Sequence, residues 1–111
     1  MTDDPARRGV QAFAEGDYEG ALEAYLEAVD ATPDDADAWN GLTMTYYKMQ
    51  RFEHALEAAL KLLSFDEKNM FAWTNLSLIY QRLDRIEEAE HAGAKARVIG
   101  WSEPGASDPP A

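Results

Sequence analysis

Apolar residues recur along this chain at alternating spacings of three and four, which places them on one face of an α-helix. In the clearest series, Tyr18, Leu22 and Tyr25 share a face while glutamates occupy positions between them. The same spacing is found over residues 39–49 and 52–63. These patterns predict an all-α chain made of short amphipathic helices.

The helical pattern is repeated at a fixed distance along the chain. Trp39 and Trp73 lie 34 residues apart. The residues that follow them match at the same offsets: Leu42 and Leu76, Tyr46 and Tyr80, Phe52 and Ile86, and Ala55 and Ala89. One period upstream, Tyr18 and Ala21 fill the corresponding positions. Such a period predicts three stacked copies of one unit, each holding two helices.

This series of tryptophan, leucine, tyrosine and alanine at a 34-residue period resembles the tetratricopeptide repeat (TPR). Under the resemblance, the copies span residues 2–35, 36–69 and 70–103 and form one domain over residues 1–103. The resemblance implies a right-handed α-solenoid of three helix-turn-helix repeats, with about six helices. Residues 104–111 follow as a proline-rich tail that we expect to be disordered.

Departures from the repeat are concentrated in its terminal copies. In the first copy, Pro5, Arg8 and Ala12 replace the tryptophan, the leucine and the tyrosine, and in the third copy Gly93 stands at the position of Tyr25. A terminal repeat has one face without a neighbouring repeat. We therefore interpret these changes as caps.

Turn-forming residues mark the expected helix ends. A glycine and an aspartate at 16–17 separate the first two helices, and segment 32–35 with its proline separates the first two copies. Asp84 followed by Glu87 has the pattern of a capping box. Gly100 is expected to end the last helix.

Trp101 directly follows that glycine and is large and apolar. Three positions are open to it: folded back over the small residues of the last helix, inserted into a partner's interface, or exposed in the tail. Small residues at 93, 94 and 96 and polar residues at 91, 95 and 97 indicate that the last helix is capped on its own.

The chain of 111 residues has 21 Asp and Glu against 10 Lys and Arg, a formal charge of -11. Nucleic-acid binding needs clustered cations that neutralise phosphates, and this sequence has no basic run, so neither nucleic acid nor an anionic membrane surface is an expected partner. The acids are concentrated on the predicted second helices: Glu19, Glu23, Glu27, Asp30, Glu53, Glu57, Glu87, Glu88 and Glu90. The resemblance therefore implies an acidic outer face and a less acidic, locally basic groove.

Other features of the composition narrow the functional classes. The chain has no cysteine, so disulfides and thiol-based metal sites are excluded. No apolar run approaches the roughly 18 residues of a membrane span, and the first residues are acidic where a signal peptide is basic. We therefore expect a cytoplasmic location without membrane insertion.

The resemblance also implies which side chains face a bound peptide, because TPR arrays use set positions of the first helices for this purpose. These candidate peptide-binding residues are Arg7, Val10, Phe13, Asn40, Met44, Tyr47, Lys48, Phe71, Asn75, Leu78 and Arg82. Lys48 and Arg82 are equivalent residues one repeat apart, so both could meet an acidic side chain or a terminal carboxylate. The alternative explanation is that the apolar residues only pack between helices and that the two cations are ordinary solvated surface.

One TPR subclass clamps the acidic carboxyl-terminal peptides of heat-shock chaperones with lysine, asparagine and arginine side chains. In this chain the clamp positions hold Ala6, Val10, Gly41, Phe71 and Asn75. No member of the clamp is present at its position, so the resemblance does not extend to that ligand.

Nothing in the sequence points to catalysis. His54 and His91 lie on predicted second helices at non-equivalent positions and belong to no metal or nucleophile motif, so we expect no enzyme activity, no metal and no cofactor. The expected function is an adaptor module that binds a peptide segment of a partner protein. Two alternatives remain: a self-associating scaffold built through the repeat ends, hence a homo-oligomer, and a small acidic chaperone of the secretion type.

Overall fold

The computed structural model describes residues 4–102, all of whose regular structure is helical. The six helices are α1 (Pro5–Ala14), α2 (Tyr18–Ala31), α3 (Ala36–Lys48), α4 (Phe52–Phe65), α5 (Met70–Arg82) and α6 (Ile86–Ser102). They form three antiparallel pairs, each of which packs on the next in chain order. The predicted helical solenoid is confirmed, whereas the predicted tail at 104–111 lies outside the described residues.

The three first helices form an inner layer and the three second helices an outer one. Cα atoms of α3 lie within 8 Å of Cα atoms of both α1 and α5, whereas among the described residues no two second helices approach this closely. Because the first helices approach one another more closely, the stack curves around them. The exposed surface of α1, α3 and α5 is therefore the concave side, and we call it the groove.

A left-handed residue closes the turn inside each helix pair. Gly16, Gln50 and Asp84 lie one period apart and have φ values of 79°, 62° and 60°. The N–H groups of the next residues, Asp17, Arg51 and Arg85, donate to the carbonyls of Ala12, Tyr46 and Tyr80 at 2.8–2.9 Å. This is the Schellman arrangement, which satisfies the last carbonyls of a helix. The turn reverses the chain at the same point in every repeat.

The two repeat tryptophans hold the turns between repeats. The indole nitrogen of Trp39 donates to the carbonyl of Pro33 at 2.7 Å, and that of Trp73 donates to Glu67 at 2.8 Å. Each acceptor lies six residues before its tryptophan, in the turn that precedes the first helix of the pair. The tryptophans therefore belong to the frame of the repeat.

The first helices begin at side-chain caps. Asp35 and Asn69 accept hydrogen bonds from the N–H groups of the first turn of α3 and α5. In α1 the capping residue is Asp4, which binds the N–H of Ala6. Pro5 is the first residue of that helix, a position that proline favours. The residue that replaces the repeat tryptophan thus starts a shorter helix.

The core is built from small residues and a few large ones. Tyr25 of α2 lies between two other helices, and a Cβ at Gly9 of α1 or Gly41 of α3 would run into its ring. Burial raises the pKa of the Tyr25 hydroxyl above its ordinary value. Tyr46 packs against both hydrophobic clusters, one around α2 and α3 and one around α4 to α6, so the core is a continuous seam.

The capping box predicted in the third repeat is wrong. Asp84 does not cap α6, because it is the left-handed turn residue and the helix begins two residues later. Arg85 precedes that helix and forms a double hydrogen bond with Glu88, with both distances 2.7 Å. A salt bridge therefore stands where the sequence suggested a capping box with Glu87.

The predicted end of the last helix is also wrong. Helix α6 runs through Gly100 to Ser102, so the glycine lies inside the helix rather than after it. Trp101 is consequently helical and 50% exposed, and it does not fold back over the small residues of α6. No helix within residues 4–102 is long and apolar enough to cross a membrane.

Candidate peptide-binding groove

Large apolar side chains are exposed along the groove. Val10 on α1 and Phe71 on α5 are 60% and 64% exposed, and Met44 and Leu78 are exposed to a lesser extent. Met44 and Leu78 are equivalent residues one repeat apart. Exposed apolar groups on the same side of a small protein mark an interaction surface more often than scattered ones do.

A pocket of about 190 Å³ opens on the groove between α3 and α5. It is lined by Thr43, Met44, Tyr47, Lys48, Asn75, Leu78 and Ile79. Five of these seven belong to the set predicted from the sequence. The pocket is mainly apolar with a cation and an amide at its margin, a composition suited to one apolar side chain of a ligand.

The floor of the pocket was missed by sequence reasoning. Thr43 and Ile79 are fully buried, so they are not groove-facing positions in the repeat pattern. Thr43 donates its hydroxyl proton to the carbonyl of Trp39 at 2.8 Å, which keeps its polar atom turned away from the cavity. The only signal in the sequence was their position immediately beside predicted groove residues.

An amide pair joins the two walls of the groove. The side-chain nitrogen of Asn75 on α5 donates to the side-chain oxygen of Asn40 on α3 at 2.6 Å. Each asparagine has further capacity, so the pair leaves an NH₂ donor on Asn40 and a carbonyl acceptor on Asn75. A peptide group of a ligand offers one donor and one acceptor, which matches this pair.

A cation lies above an aromatic cluster at the end of the groove. The guanidinium of Arg82 lies 5.4 Å from the centroid of the Phe52 ring and 5.9 Å from that of Tyr47. The two rings pack edge to face with centroids 5.4 Å apart. Stacking of this kind orders the arginine side chain while its hydrogen-bond donors stay available. Lys48, the equivalent residue one repeat earlier, lines the pocket described above.

Four predicted residues lie apart from this centre. Arg7 and Val10 are exposed on α1, and Phe71 is exposed on the first turn of α5. Phe13 is half-buried and its ring packs edge to face on Tyr18, at a centroid distance of 5.3 Å. These residues share the groove side with the pocket but do not line it.

The outer face is acidic, as the sequence predicted. All the glutamates and the aspartate predicted there are exposed on α2, α4 and α6. A helix with its side chains is about 10–12 Å thick, and the Debye length at physiological salt is about 8 Å. The outer acids are therefore largely screened from the groove, where Lys48 and Arg82 set the local charge.

Both histidines lie on the outer face against aromatic rings. His54 packs on Tyr46 and His91 on Trp73, with ring centroids 5.2 Å and 6.3 Å apart. Both are exposed. Among residues 4–102, no group of three histidine or acidic side chains is placed to hold a metal ion.

The repeat pattern matches known protein families. A family model described as a tetratricopeptide repeat matches residues 36–69 and 72–96, more than half of the chain. This chain belongs to the tetratricopeptide repeat family. A second model, described as a TPR repeat, matches residues 9–50. No curated protein matches the chain.

Solved TPR structures share the fold. The second TPR of Spaghetti (RPAP3) bound to an HSP90 peptide superposes with a TM-score of 0.83 at 24% identity, over 86% of this chain and 88% of that one. The second TPR domain of human RPAP3 in complex with an HSP70 peptide gives 0.84 at 23% identity, over 93% and 86%. The Arabidopsis OM64 TPR domain gives 0.84 at 20%, over 92% and 84%. At these identities the likeness concerns the fold.

Proposed function

We propose that this TPR protein is a binding module whose groove holds an extended peptide segment of a partner protein. The observation that carries the proposal is the apolar pocket between α3 and α5, which Lys48 and Asn75 help to line. Asn75 is bonded to Asn40 beside it, and Arg82 lies over the ring of Tyr47, another lining residue. TPR neighbours solved with HSP90 and HSP70 peptides support a peptide as the class of ligand.

The chemistry of the groove describes the ligand. One apolar side chain fills the cavity beside Met44 and Leu78, and its peptide group binds the amide pair formed by Asn40 and Asn75. Lys48 and Arg82 then meet a carboxylate, either an acidic side chain or a chain terminus. The proposed ligand is therefore a short segment with an apolar anchor followed by an acid.

The chaperone peptides bound by the neighbours are not the proposed ligand. Val10 and Phe71, which occupy two of the clamp positions, are exposed apolar side chains in this structure. They offer apolar contacts where the clamp offers an amide and a cation. We propose that they extend the apolar part of the groove beyond the central pocket.

The test is a selection from displayed random twelve-residue peptides, followed by affinity measurement on the selected peptides by fluorescence anisotropy. Tyr47→Ala and Asn75→Ala should each weaken binding about tenfold or more, since each removes a wall or a polar anchor at the centre of the site. Arg82→Gln should weaken binding to peptides with a carboxylate and reduce the dependence of that affinity on salt.

The matched control is Leu26→Ala, which removes an exposed apolar side chain from the outer helix α2. Its affinity should equal that of the wild type. The proposal fails if Leu26→Ala reduces binding while Tyr47→Ala and Asn75→Ala do not. It also fails if no peptide is selected by a protein whose helical circular dichroism is intact.

A further inference from the structure

The last helix has an open face where a further repeat would pack. At the junction between the second and third repeats, the corresponding face of α4 carries Phe52, Leu56, Ala59 and Leu63 and is covered by α5 and its neighbours. One period later, α6 carries Ile86, Glu90, Gly93 and Arg97 at those positions. They line an open cavity of about 620 Å³ together with Ser77, Gln81 and Ala89.

This face, which we call the end face, is only partly converted to a cap. Glu90 and Arg97 replace two leucines, but Ile86 at one end of the face and Trp101 one turn beyond Arg97 are both 50% exposed. Neither Glu90 nor Arg97 has an ion-pair partner among the described residues. Ile86 and Trp101 lie on the same face of α6, and exposed apolar groups that share a face mark an interaction surface more often than scattered ones do.

The residues of the end face are placed symmetrically about one point of α6, with an acid on one side matched by a base on the other. Reading along α6, an apolar residue, an acid, two small residues, a base and an apolar residue follow one another: Ile86, Glu90, Gly93 with Ala94, Arg97 and Trp101. The acid and the base lie at equal distances from the midpoint between Gly93 and Ala94. Ile86 and Trp101 are likewise at equal distances from that midpoint.

From this symmetry we infer that the end face binds a second copy of the same chain, tail to tail, through an antiparallel α6 pair. A two-fold axis between Gly93 and Ala94 places Glu90 opposite Arg97 of the partner subunit and Ile86 opposite Trp101 of the partner subunit. The same contacts occur again by symmetry, which is the property of an isologous interface. Two ion pairs and two apolar contacts result.

The geometry of packed helices accommodates this arrangement. Glycine and alanine at the axis allow the helices to approach to about 8 Å. Ile86 and Trp101 lie about 11 Å from the axis along the helix, so a crossing angle of about 20° separates the two chains there by only a few additional ångströms. The indole of Trp101 is long enough to span that gap.

The opposite end of the stack argues against head-to-tail assembly. The buried Leu42 and Thr45 of α3 correspond in α1 to Arg8 and Gln11, which are exposed. Arg8 also forms a 2.7 Å salt bridge with Glu27. Packing α1 on an end face would bury this charge and this amide, which is unfavourable. Assembly through α6 therefore stops at a dimer.

The experiment is sedimentation equilibrium of the full chain across a concentration range of about 1 to 500 µM, since a small interface of this kind corresponds to a micromolar dissociation constant. The mass should rise from 12.4 kDa to twice that value. Raising the salt concentration should weaken the dimer, because charge pairs contribute to it.

Charge reversal tests the two-fold register. Glu90→Arg and Arg97→Glu should each give a monomer, because each places like charges opposite one another. An equimolar mixture of the two variants should form a heterodimer, and the double variant should form a homodimer again, since both restore two opposite-charge pairs. Glu87→Arg, a charge reversal on another side of the same helix, is the matched control and should leave the dimer intact.

Each other outcome overturns the inference. A wild type that stays monomeric throughout the range overturns the inference. This holds even if a variant truncated after Ser102 dimerises while the intact chain does not. A dimer that survives Glu90→Arg uses another surface. Single variants that remain monomeric when mixed, with unchanged helical melting, show that Glu90 does not lie opposite Arg97.

Discussion

Replacing Gly41 by alanine tests how tightly the first two repeats are packed. A Cβ at this position would lie 2.8 Å from the hydroxyl oxygen of Tyr25 and closer still to the ring carbons Cε1 and Cζ. Overpacking of this kind costs about 1–3 kcal/mol, while alanine contributes about 1 kcal/mol more helix propensity than glycine. We expect Gly41→Ala to lower the free energy of unfolding by about 1 kcal/mol.

The sign of this effect should depend on Tyr25. Leucine at position 25 has no atoms in place of Cζ and the hydroxyl, so Tyr25→Leu removes the clash at a cost of about 2 kcal/mol in lost packing. In that background, Gly41→Ala should raise stability by up to about 1 kcal/mol through helix propensity alone. The coupling between the two positions is then about 2 kcal/mol, well beyond the error of additivity.

Urea unfolding followed by far-UV circular dichroism measures all four proteins of this cycle. A change of 1 kcal/mol shifts the midpoint by roughly 0.3–1 M for a slope typical of small proteins. Gly100→Ala is the matched control, because its nearest neighbour is the flexible side chain of Met70, with its sulfur at 3.1 Å. A stabilising effect of Gly41→Ala in the presence of Tyr25 would refute the reasoning.

Three further outcomes are expected. Gln50→Gly should raise stability by about 0.5–1 kcal/mol and Gly16→Ala should lower it by about 1 kcal/mol, measured by urea unfolding, because both positions have a positive φ. Burial raises the pKa of Tyr25 above its ordinary value of 10.0. The stability that Tyr25 contributes is therefore complete below this ordinary pKa and is lost as the pH rises beyond it. Tyr25→Phe should reduce this loss at alkaline pH, measured by thermal melts. Trp39→Phe should cost about 1 kcal/mol or more, because the carbonyl of Pro33 loses its donor. An unchanged melting temperature would contradict that role.

The frame of the fold could be predicted because equivalent residues make the same backbone contacts in successive repeats. Trp39 and Trp73 hold equivalent carbonyls, and Gly16, Gln50 and Asp84 adopt the same conformation, so one period of sequence explains the next. The misplaced cap at Asp84 followed from considering that residue alone. Gly16, two periods upstream of Asp84, indicates that Asp84 is the turn residue.

The end of α6 could not be predicted in the same way. Gly100 has the sequence pattern of a helix terminus, but it lies inside α6, two residues before that helix ends. Helix propensity then extends the helix until Ser102. The exposed position of Trp101 is a consequence of that extension, which also places the residue on the end face.

The groove was predicted in part, because the repeat specifies which side chains face the concave side but not how they contact one another. Positions taken from the repeat identify which side chains face the concave side, and five of them meet in the pocket between α3 and α5. The hydrogen bond from Asn75 to Asn40 joins residues that are not equivalent in the repeat. Such a contact depends on the offset between neighbouring helices, which the sequence period does not specify.

The two proposed surfaces are separable because different helices build them. The pocket and the amide pair lie on α3 and α5, whereas the end face lies mainly on α6. A tail-to-tail dimer would therefore carry two open grooves. It would bind a ligand with two copies of the recognised segment more tightly than a single copy, provided that the linker spans both grooves. Glu90→Arg would abolish that gain without changing the affinity of one groove, so a failure of either proposal leaves the other standing.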